Sequence, residues 1–542
     1  MRYLARPVGV AAVAVMLGAT LLPGGAARAE VPSSAAVVAL DEPTDPPAPL
    51  ALPADPDDIT TAQAEQALER AEILIAGEAP ATTTEGTAES PTLALRDLMI
   101  AKPKLRGADR EAADRLLARP TDGANDPGED GYPAGSTVKS GCTGGICVHY
   151  VDKAQNERIG ATAEWASQTA QVAKNAYDYL VNSRGYRAAP SDGTRGGNAK
   201  LDIYLTDLGS QKVFGYCAPE QFVPGSNYRA TSYCVLDNDY AEFKPTAPLN
   251  YLRVTAIHEI FHAIQFGYDV FEDSWLYEAT ATWMEEVWAS DVNDNRRYLS
   301  DGQLGRPLVA LDEFEDDTAN SYGNWIFFEY LEERFGANIA RSVWERASAT
   351  SSPGQHSLYA LRTVLNGLRD ASGARTEFGR ELAGFAAANQ LPAAFYDEGS
   401  AYTAAPVNAG YAVSKSTTPV SRRFSVPQQT TYTVRFQPSF SAPSQRYRLR
   451  LRFSTPAAAT NPGAFVVVQY TNGTVKRGAI SLKSGTTTQY LAFQPGQVRN
   501  VYVSFANASS RLDCNLDTAR ACGGEPLDDD VRYTLDAVAQ RY

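Results

Sequence analysis

The sequence predicts an α+β protein in which a largely helical region precedes an antiparallel β-sandwich. Two strand-like segments, at residues 201–206 and 230–236, are followed by helical patterns from about residue 250 to 389. From about residue 414, apolar and polar residues alternate between turns rich in Gly, Pro, Ser and Asn, which is typical of antiparallel strands with one buried face. The 542 residues are enough for three or four domains of about 150 residues.

The charge balance excludes one class of function. Asp and Glu number 63 against 49 Lys and Arg, which gives a net charge of −14. A nucleic-acid-binding protein needs a basic surface to neutralise phosphates, so we exclude nucleic acid as a partner. Only 21% of the residues are charged, so the chain as a whole lacks the composition of a disordered polyelectrolyte.

The first segment, residues 1–29, has the three parts of a secretory signal peptide. A basic start is followed by an apolar run and by a small-x-small ending at residues 27–29, so we expect cleavage before Glu30. The apolar run is too short to cross a bilayer comfortably, and no later stretch reaches about 18 uninterrupted apolar residues. The sequence therefore predicts a secreted, extracellular protein without stable membrane insertion.

The cysteines support export. They form three pairs that are close in sequence, and this spacing favours three local disulfide bonds in an oxidising compartment. No C-x2-C pair recurs, so a zinc ribbon is disfavoured. The pairs are Cys142 with Cys147, Cys217 with Cys234, and Cys514 with Cys522.

Residues 30–140 have the position, the composition and the predicted secondary structure of a pro-segment. Residues 30–59 contain seven acids, seven prolines and no Lys or Arg, a composition that predicts disorder. An apolar i, i+3, i+4 stripe between Ala64 and Ile75 predicts a helix, and a turn-rich loop covers residues 121–140. We expect a disordered and helical pro-segment that is removed after export. The alternative is a flexible spacer with a small helical hairpin.

The remaining chain divides at about residue 410. Residues 141–410 open with a helix at 159–180 that carries an alanine stripe on one face. Residues 411–542 form the predicted β-sandwich, for which we expect either binding of a surface or polymer or a capping role. Its clearest strand patterns lie at 432–436, 447–453, 464–470 and 501–505.

The segment His258-Glu-Ile-Phe-His262 carries the chemistry. Its apolar neighbours are those of a buried helix, and residues four apart on a helix differ by about 40° in azimuth, so both imidazoles can bind one zinc ion. Glu259 is rotated by about 100° and can face a water on the metal without binding the metal. Zinc lowers the pKa of that water towards about 7, and the carboxylate takes its proton during attack on a peptide bond.

A core helix with two incidental histidines is the structural alternative. The chain has only four His, at positions 149, 258, 262 and 356, and two of them would have to fall at this spacing by accident. His149 and His356 lie in no motif, so we expect structural or surface roles for them.

Tetrahedral zinc needs a third protein ligand. The metzincin pattern fails, because Gln265 and Tyr268 occupy the positions of its Gly and its third His. A second predicted helix follows a turn-like link and would present Glu278 to the two histidines. An unpaired carboxylate among its small apolar neighbours would be unfavourable. Glu285, two turns further along the same face, and Asp269 are the alternative ligands.

The segment His258-Glu-Ile-Phe-His262, followed by Trp275-Leu-Tyr-Glu278, resembles the gluzincin pattern. The form with Trp-Leu-x-Glu is similar to that of hyicolysin-like secreted bacterial neutral zinc metallopeptidases. The resemblance implies that His258, His262 and Glu278 are zinc ligands and that Glu259 is the general base.

The same resemblance extends to a later helix. Residues 321–336 resemble the gluzincin helix that begins with a catalytic Tyr, which makes Tyr322 the candidate donor to the oxyanion of the transition state. The implied fold is a zincin-like catalytic domain with an active-site helix over residues 141–410, followed by the β-sandwich of residues 411–542.

Two further expectations concern substrate and calcium. Residues 233–236 precede the zinc helix and would bind an extended substrate by strand addition. Clusters of Asp would suit Ca²⁺, but none matches an EF-hand loop, and solvated acidic loops explain them as well. The clusters are Asp237 with Asp239, Asp291 with Asp294, and Asp528, Asp529 and Asp530.

These features predict a secreted zinc endopeptidase that acts on protein or peptide substrates, uses Zn²⁺ and is made as a zymogen. The alternative is an exported binding protein that acts through its β-sandwich and keeps a structural or vestigial zinc site. Stoichiometric zinc together with hydrolysis of a peptide library separates the two.

Overall fold

Secondary structure is described for most of the chain after residue 57. The predicted signal peptide, and the predicted disordered stretch as far as residue 57, lie outside the described residues. The described residues all belong to one unit, Pro43–Tyr542. The computed structural model describes residues 58–76, 90–122, 131–315, 318–348, 356–371, 373–415, 418–442, 444–516 and 518–542.

Three helices precede the first sheet: α1 (Thr61–Ala76), α2 (Pro91–Ala101) and α3 (Gly107–Leu116). Helix α2 begins at Pro91 because the side chain of Ser90 accepts a hydrogen bond from the Leu93 N–H over 3.2 Å, and Pro suits the first helical position. Ten of its 11 residues are buried, so α2 is a core helix rather than a surface helix.

A five-stranded mixed sheet follows, with the strand order β1-β2-β3-β5-β4. The inner strands β2, β3 and β5 run parallel, and each outer strand is antiparallel to its neighbour. Every residue of β3 and β5 is buried, so both faces of the sheet are covered there. The strands are β1 (Val138–Thr143), β2 (Ile146–Val151), β3 (Leu201–Thr206), β4 (Gly215–Phe222) and β5 (Ala230–Asp237).

Helices dominate the region that follows the sheet, as the sequence predicts. Of these, α5 packs against β4 and β5 and also against α6, while α4 (Ala163–Asp178) packs against α5 and β2. A 3₁₀ helix, Asp294–Ser300, contacts α6 and α7. The helices are α5 (Pro248–Gln265), α6 (Ser274–Ala289), α7 (Asn320–Gly323), α8 (Trp325–Phe335), α9 (Ile339–Ala347), α10 (Ser357–Gly367) and α11 (Phe378–Ala388).

The last part is a sandwich of two sheets, ordered β11-β10-β13-β8-β6 and β12-β9-β16-β7. The described strand pairs are antiparallel, except that β6 is parallel to β8. This detail differs from the fully antiparallel prediction, because alternation shows which residues are buried but not which way a neighbour runs. The strands are β6 (Ala409–Val413), β7 (Val420–Val426), β8 (Thr430–Pro438), β9 (Tyr447–Thr455), β10 (Pro462–Tyr470), β11 (Val475–Ala479), β12 (Gly485–Ala492), β13 (Val498–Asn507), β14 (Leu512–Asp513), β15 (Glu525–Pro526) and β16 (Val531–Arg541).

Buried apolar side chains form two clusters. The larger one joins α1–α3, strands β2–β5 and the helices α4–α6 and α8–α11. The smaller one fills the space between the two sheets of the sandwich. Helix α11 packs against β10 and β13, and there Phe465, Val467 and Tyr502 join the larger cluster. The five-stranded sheet of the sandwich thus contributes to both cores.

The predicted α+β class is confirmed, and so are the three local cysteine pairs, which form disulfide bonds. Among the described residues, no helix is both long enough and apolar enough to cross a membrane. The predicted boundaries near residues 140 and 410 stay predictions.

Candidate metal centre

Helix α5 carries both histidines of the motif. Pro248 starts it, since Pro lacks the N–H that would have no partner in the first turn. Of its 18 residues, 14 are buried, as expected for a helix that is apolar on most sides and lies in the core. His258 and His262 lie one turn apart on the same face, with their ring centroids separated by 4.7 Å.

Helix α6 brings Glu278 to the same point. Its Oε2 lies 3.2 Å from His258 Nε2, and its Oε1 lies 3.7 Å from His262 Nε2. Glu278 and His262 are fully buried, and His258 is 8% exposed. The structure thus brings together the three predicted ligands. Asp269 is not in this group, and its carboxylate accepts a backbone N–H of the link between α5 and α6.

A second side chain holds the other nitrogen of each imidazole. Glu285 Oε1 lies 2.7 Å from His258 Nδ1, and Gln265 Oε1 lies 2.6 Å from His262 Nδ1. The amide N–H groups of Gln265 donate in turn to α6. Such partners fix the orientation of a metal-binding imidazole, so both Nε2 atoms are directed at Glu278. Glu285, an alternative ligand in the sequence, is placed here as the partner of His258.

Glu259 lies next to His258 in sequence but has a different partner. Its Oε2 accepts a hydrogen bond of 2.9 Å from the hydroxyl of Thr92 on α2. The same Thr92 oxygen accepts the N–H of Cys217 on β4, also at 2.9 Å. All three residues are buried. Thr92 is 167 positions away from Glu259, so no local sequence pattern could have indicated this contact.

Tyr322 of α7 reaches the same site. Its ring lies parallel to that of His258, with the centroids 6.2 Å apart, and next to Tyr298 at 5.1 Å. A cavity of about 90 Å³ is lined by Tyr322, Glu259 and Thr92, among others. The predicted base and the predicted oxyanion donor therefore face one cavity. Tyr298 is a lining residue that the sequence did not indicate.

The ionisable groups of the site titrate differently. Burial raises the pKa of Glu259, against the attraction of His262 and His258. Burial also acts to raise the pKa of Glu278, but the two imidazoles outweigh it and hold that pKa well below its ordinary value. Burial lowers the pKa of His258, but hydrogen bonds to Glu278 and Glu285 outweigh it and raise that pKa well above the ordinary value. Glu278 is thus held in its ionised form, whereas burial shifts Glu259 towards its protonated form.

The donor set suits a divalent cation. One ligand atom of each of His258, His262 and Glu278 lies within 4.8 Å of the others. His262 Nε2 and Glu278 Oε1 are buried and have no hydrogen-bond partner among the described residues. Partnerless buried polar atoms are unfavourable, and a cation between them would satisfy both. Two imidazoles and one carboxylate are also the ligand set of many catalytic zinc sites.

Two other groups of metal-ligating residue types do not offer such a set. One combines Cys147 with His149 and Asp202, and the other combines His356 with the Cys514–Cys522 pair. These cysteines are all disulfide-bonded, so they lack the thiolate that binds metals. His149 instead lies 2.8 Å from the Asp202 carboxylate, which is a structural contact.

The acidic residues considered for calcium already have partners within the protein. Asp237 and Asp239 lie close to Glu242, but Asp237 accepts backbone N–H groups from four residues. In the other two clusters, Asp291 pairs with an Arg, and so does Asp528. Calcium binding stays a prediction.

The strand expected to bind substrate is not available. Residues 233–236 belong to β5, which pairs with β3 on one side and with β4 on the other, so the expectation of strand addition there is wrong. The outer strand on this side of the sheet is β4, and α5 packs against it. Apolar composition marks β5 as a strand, but its central position depends on pairing that no local pattern shows.

Comparison with known proteins assigns no family. No protein-family model matches the chain, and no curated protein matches it. Among solved structures, the chain is similar to that of a family GH115 4-O-methyl-α-glucuronidase with specificity for decorated arabinogalactans. The identity is 8% and the TM-score 0.12, over 65% of this chain and 53% of that one. The chain thus spans about half the length of that protein, and at this TM-score the likeness supports neither a fold nor a function.

Proposed function

We propose that this protein is a secreted zinc-dependent endopeptidase of the gluzincin type, acting on proteins or peptides. The main support is the buried group of His258, His262 and Glu278, in which two facing polar atoms have no hydrogen-bond partner among the described residues. Zn²⁺ bound there supplies a Lewis acid and lowers the pKa of a water molecule. Glu259 and Tyr322 line the adjoining cavity, where a base and a donor are needed.

Glu259 acts as the general base in this proposal. Its carboxylate lines the cavity beside His258, and burial raises its pKa. A carboxylate with a raised pKa takes a proton from the attacking water and returns it to the leaving amine more readily than an ordinary one. Because Glu259 is buried, the charges that develop there are stabilised by groups of the protein rather than by bulk water.

Tyr322 donates a hydrogen bond to the carbonyl oxygen as that oxygen becomes negative. Burial and the nearby carboxylate of Glu278 raise the pKa of Tyr322 well above its ordinary value, so its hydroxyl keeps its proton at neutral pH. Glu285 and Gln265 act through the imidazoles that they hold, and they are positioning residues.

The substitution Glu259→Gln tests this proposal. It removes the base but keeps the size of the side chain and an oxygen that can accept the Thr92 hydroxyl. We expect zinc content and thermal unfolding to stay unchanged while peptide hydrolysis falls by about 10²–10⁴-fold. Elemental analysis of the purified chain and a quenched fluorescent peptide library provide the measurements.

The matched control is Asp291→Asn, a change on an exposed carboxylate whose ion-pair partner among the described residues is Arg253. It should retain full activity and full zinc content. Equal hydrolysis by Glu259→Gln and the wild type would contradict the assignment of the base. Zinc without hydrolysis of any peptide in the library would favour a binding protein with a structural zinc site.

A further inference from the structure

The start of helix α2 lies at the candidate metal centre. Ser90 caps the helix, Pro91 opens it, and Thr92 is its first buried residue. All three line the cavity that Glu259 and Tyr322 also line. The segment that the sequence interprets as part of a pro-segment therefore contributes a wall of the site.

Thr92 satisfies two groups at once. Its hydroxyl donates to the Glu259 carboxylate and accepts from the Cys217 N–H, each at 2.9 Å. Cys217 lies on β4, the outer strand of the sheet, opposite Cys234 of β5. Because its N–H binds Thr92, that N–H points away from β5, to the side on which a further strand would pair. An extended peptide that adds to a sheet edge uses such outward N–H groups.

The cavity that remains is small. Its volume is about 90 Å³, whereas pockets that hold drug-sized ligands measure about 300–1,000 Å³. Helix α2 packs along β4 and covers the strand edge beside the zinc helix. A peptide therefore cannot reach Glu259 and β4 together while α2 stays in place.

Helix α2 and the chain that follows it are held by buried arginines. Arg96 Nη1 donates to the Glu272 carbonyl oxygen over 3.0 Å, and Nη2 donates to Ser274 Oγ over 2.9 Å. After α3, Arg119 forms ion pairs with Asp192, Asp202 and Glu220, the last of which lies on β4. Charge-assisted hydrogen bonds of this kind are strong. They therefore hold α2 and the chain as far as Arg119 against the five-stranded sheet and the start of α6.

We propose that the chain as described is a latent form, in which Ser90, Pro91 and Thr92 occupy the place of the substrate backbone. The hydroxyl of Thr92 blocks the base and the outward N–H of β4, and activity requires α2 to withdraw from β4. This inference rests on the proposed peptidase function and adds its regulation: the segment before β1 is an intramolecular inhibitor.

Weakening the anchors of α2 at a distance from the cavity tests this inference in the full-length chain. Arg96→Gln removes the charge that contacts Glu272 and Ser274, and Ser274→Ala removes one acceptor without altering α2. Loss of a hydrogen bond to a charged group shifts an equilibrium by about ten-fold or more. We therefore expect peptide hydrolysis, measured per folded and zinc-loaded chain, to rise by about that factor in both variants. We expect the rate of amide hydrogen exchange in β4 to rise by about the same factor. The matched control is Arg106→Gln, because the described contacts of Arg106 lie within its own segment.

Measuring amide exchange in β4 together with peptide hydrolysis distinguishes an error in the proposed latency from an error in the proposed peptidase function. If amide exchange in β4 is faster in the variants but hydrolysis equals or falls below that of the wild type, the chain as described is not a latent form. Helix α2 would then stabilise the site rather than inhibit it. Unchanged exchange in both variants would show that these anchors do not hold α2 on β4, which also overturns it. Faster exchange with no hydrolysis by any variant, wild type included, would overturn the proposed function.

Discussion

Gln265 shows how a residue that departs from a known pattern can still serve the site. It occupies the position at which metzincins have Gly, three residues after His262. Its amide oxygen accepts from His262 Nδ1, while its amide nitrogen donates to α6. One side chain thus sets the orientation of an imidazole and ties α5 to the helix that carries Glu278.

The role of Tyr322 is tested by removing its hydroxyl. We expect Tyr322→Phe to lower kcat by about 10²–10³-fold, because one donor to the oxyanion is lost, while zinc content and KM change little. Steady-state kinetics on a cleaved peptide, with elemental analysis of the same samples, provide the measurement. A loss of zinc in parallel with activity would instead assign the residue to support of the metal site.

Tyr186→Phe is the control for that experiment. Tyr186 is buried and its ring packs on Phe261 of helix α5, with centroids 4.9 Å apart, but it does not line the cavity. Its hydroxyl has no hydrogen-bond partner among the described residues, so its removal should leave kcat unchanged.

The site residues that the sequence predicts are those whose positions follow from local spacing along the chain. The i, i+4 relation of His258 and His262 follows from helix geometry alone, and Glu278 follows from one chain reversal. Thr92 could not be found in this way, because its contact with Glu259 depends on how α2 packs against β4. The sequence places Glu278 and Glu285 on one face of α6, but only the packing of α6 on α5 shows that Glu278 faces His258 Nε2 while Glu285 contacts His258 Nδ1.

Helices α6 and α8 meet at a group of carboxylates that makes the free energy of unfolding depend on pH. Burial, together with Glu333 and Glu286, raises the pKa of Glu329 to about 8. An unfolded Glu has a pKa of about 4.3, so the folded chain binds one more proton than the unfolded chain between these values. The free energy of unfolding therefore falls as pH rises from about 4.3 towards 8, and the loss is complete above pH 8.

Glu329→Gln removes this dependence. We expect the variant to unfold at nearly the wild-type temperature at pH 5 and several degrees higher than the wild type at pH 9. Gln can still accept the hydrogen bond from Trp283 Nε1, so packing is preserved. Thermal unfolding from pH 5 to pH 9 measures the effect, with Glu65→Gln on the exposed face of α1 as the control. Parallel pH curves for Glu329→Gln and the wild type would contradict the assignment.

The sequence predicts an element when one face of that element is buried. It does not predict a strand that forms only because its backbone pairs with a neighbouring strand. Strand β9 (Tyr447–Thr455) alternates buried and more exposed residues, so its sequence predicts it. Strand β1 (Val138–Thr143) is almost wholly exposed and has no such pattern; it is a strand because it pairs with β2. The parallel pairing of β6 with β8 has no local signal for the same reason.

The helical part and the sandwich approach each other closely at two glycines, within the contact between α11 and the sheet. Gly379 of α11 lies against Gly463 of β10, and a Cβ on Gly463 would overlap the carbonyl oxygen of Gly379. We expect Gly463→Ala to separate α11 from the sheet and to lower the free energy of unfolding by about 1–3 kcal/mol. Urea denaturation followed by Trp fluorescence measures this change.

Gly478→Ala is the control within the same sheet. A Cβ at that position on β11 meets no atom within 4 Å, so we expect almost no change in stability. Equal effects of the two substitutions would show that the close approach at Gly463 does not hold the two parts together. The alternation of apolar and polar residues after about residue 414 predicts a separate sandwich, but the contact between the two parts depends on a backbone proximity that a sequence does not display.

The disulfide bond between Cys217 and Cys234 links β4 to β5 directly beneath Glu259, since Cys217 Sγ lies 2.9 Å from the Glu259 carbonyl oxygen. The covalent link behind the strand edge that Thr92 contacts forms only on oxidation. In a reducing compartment this covalent link would be absent, and β4 would be joined to β5 by its backbone pairing without it. The geometry of the β4 edge beside helix α5 thereby depends on the redox chemistry of the compartment in which the chain folds.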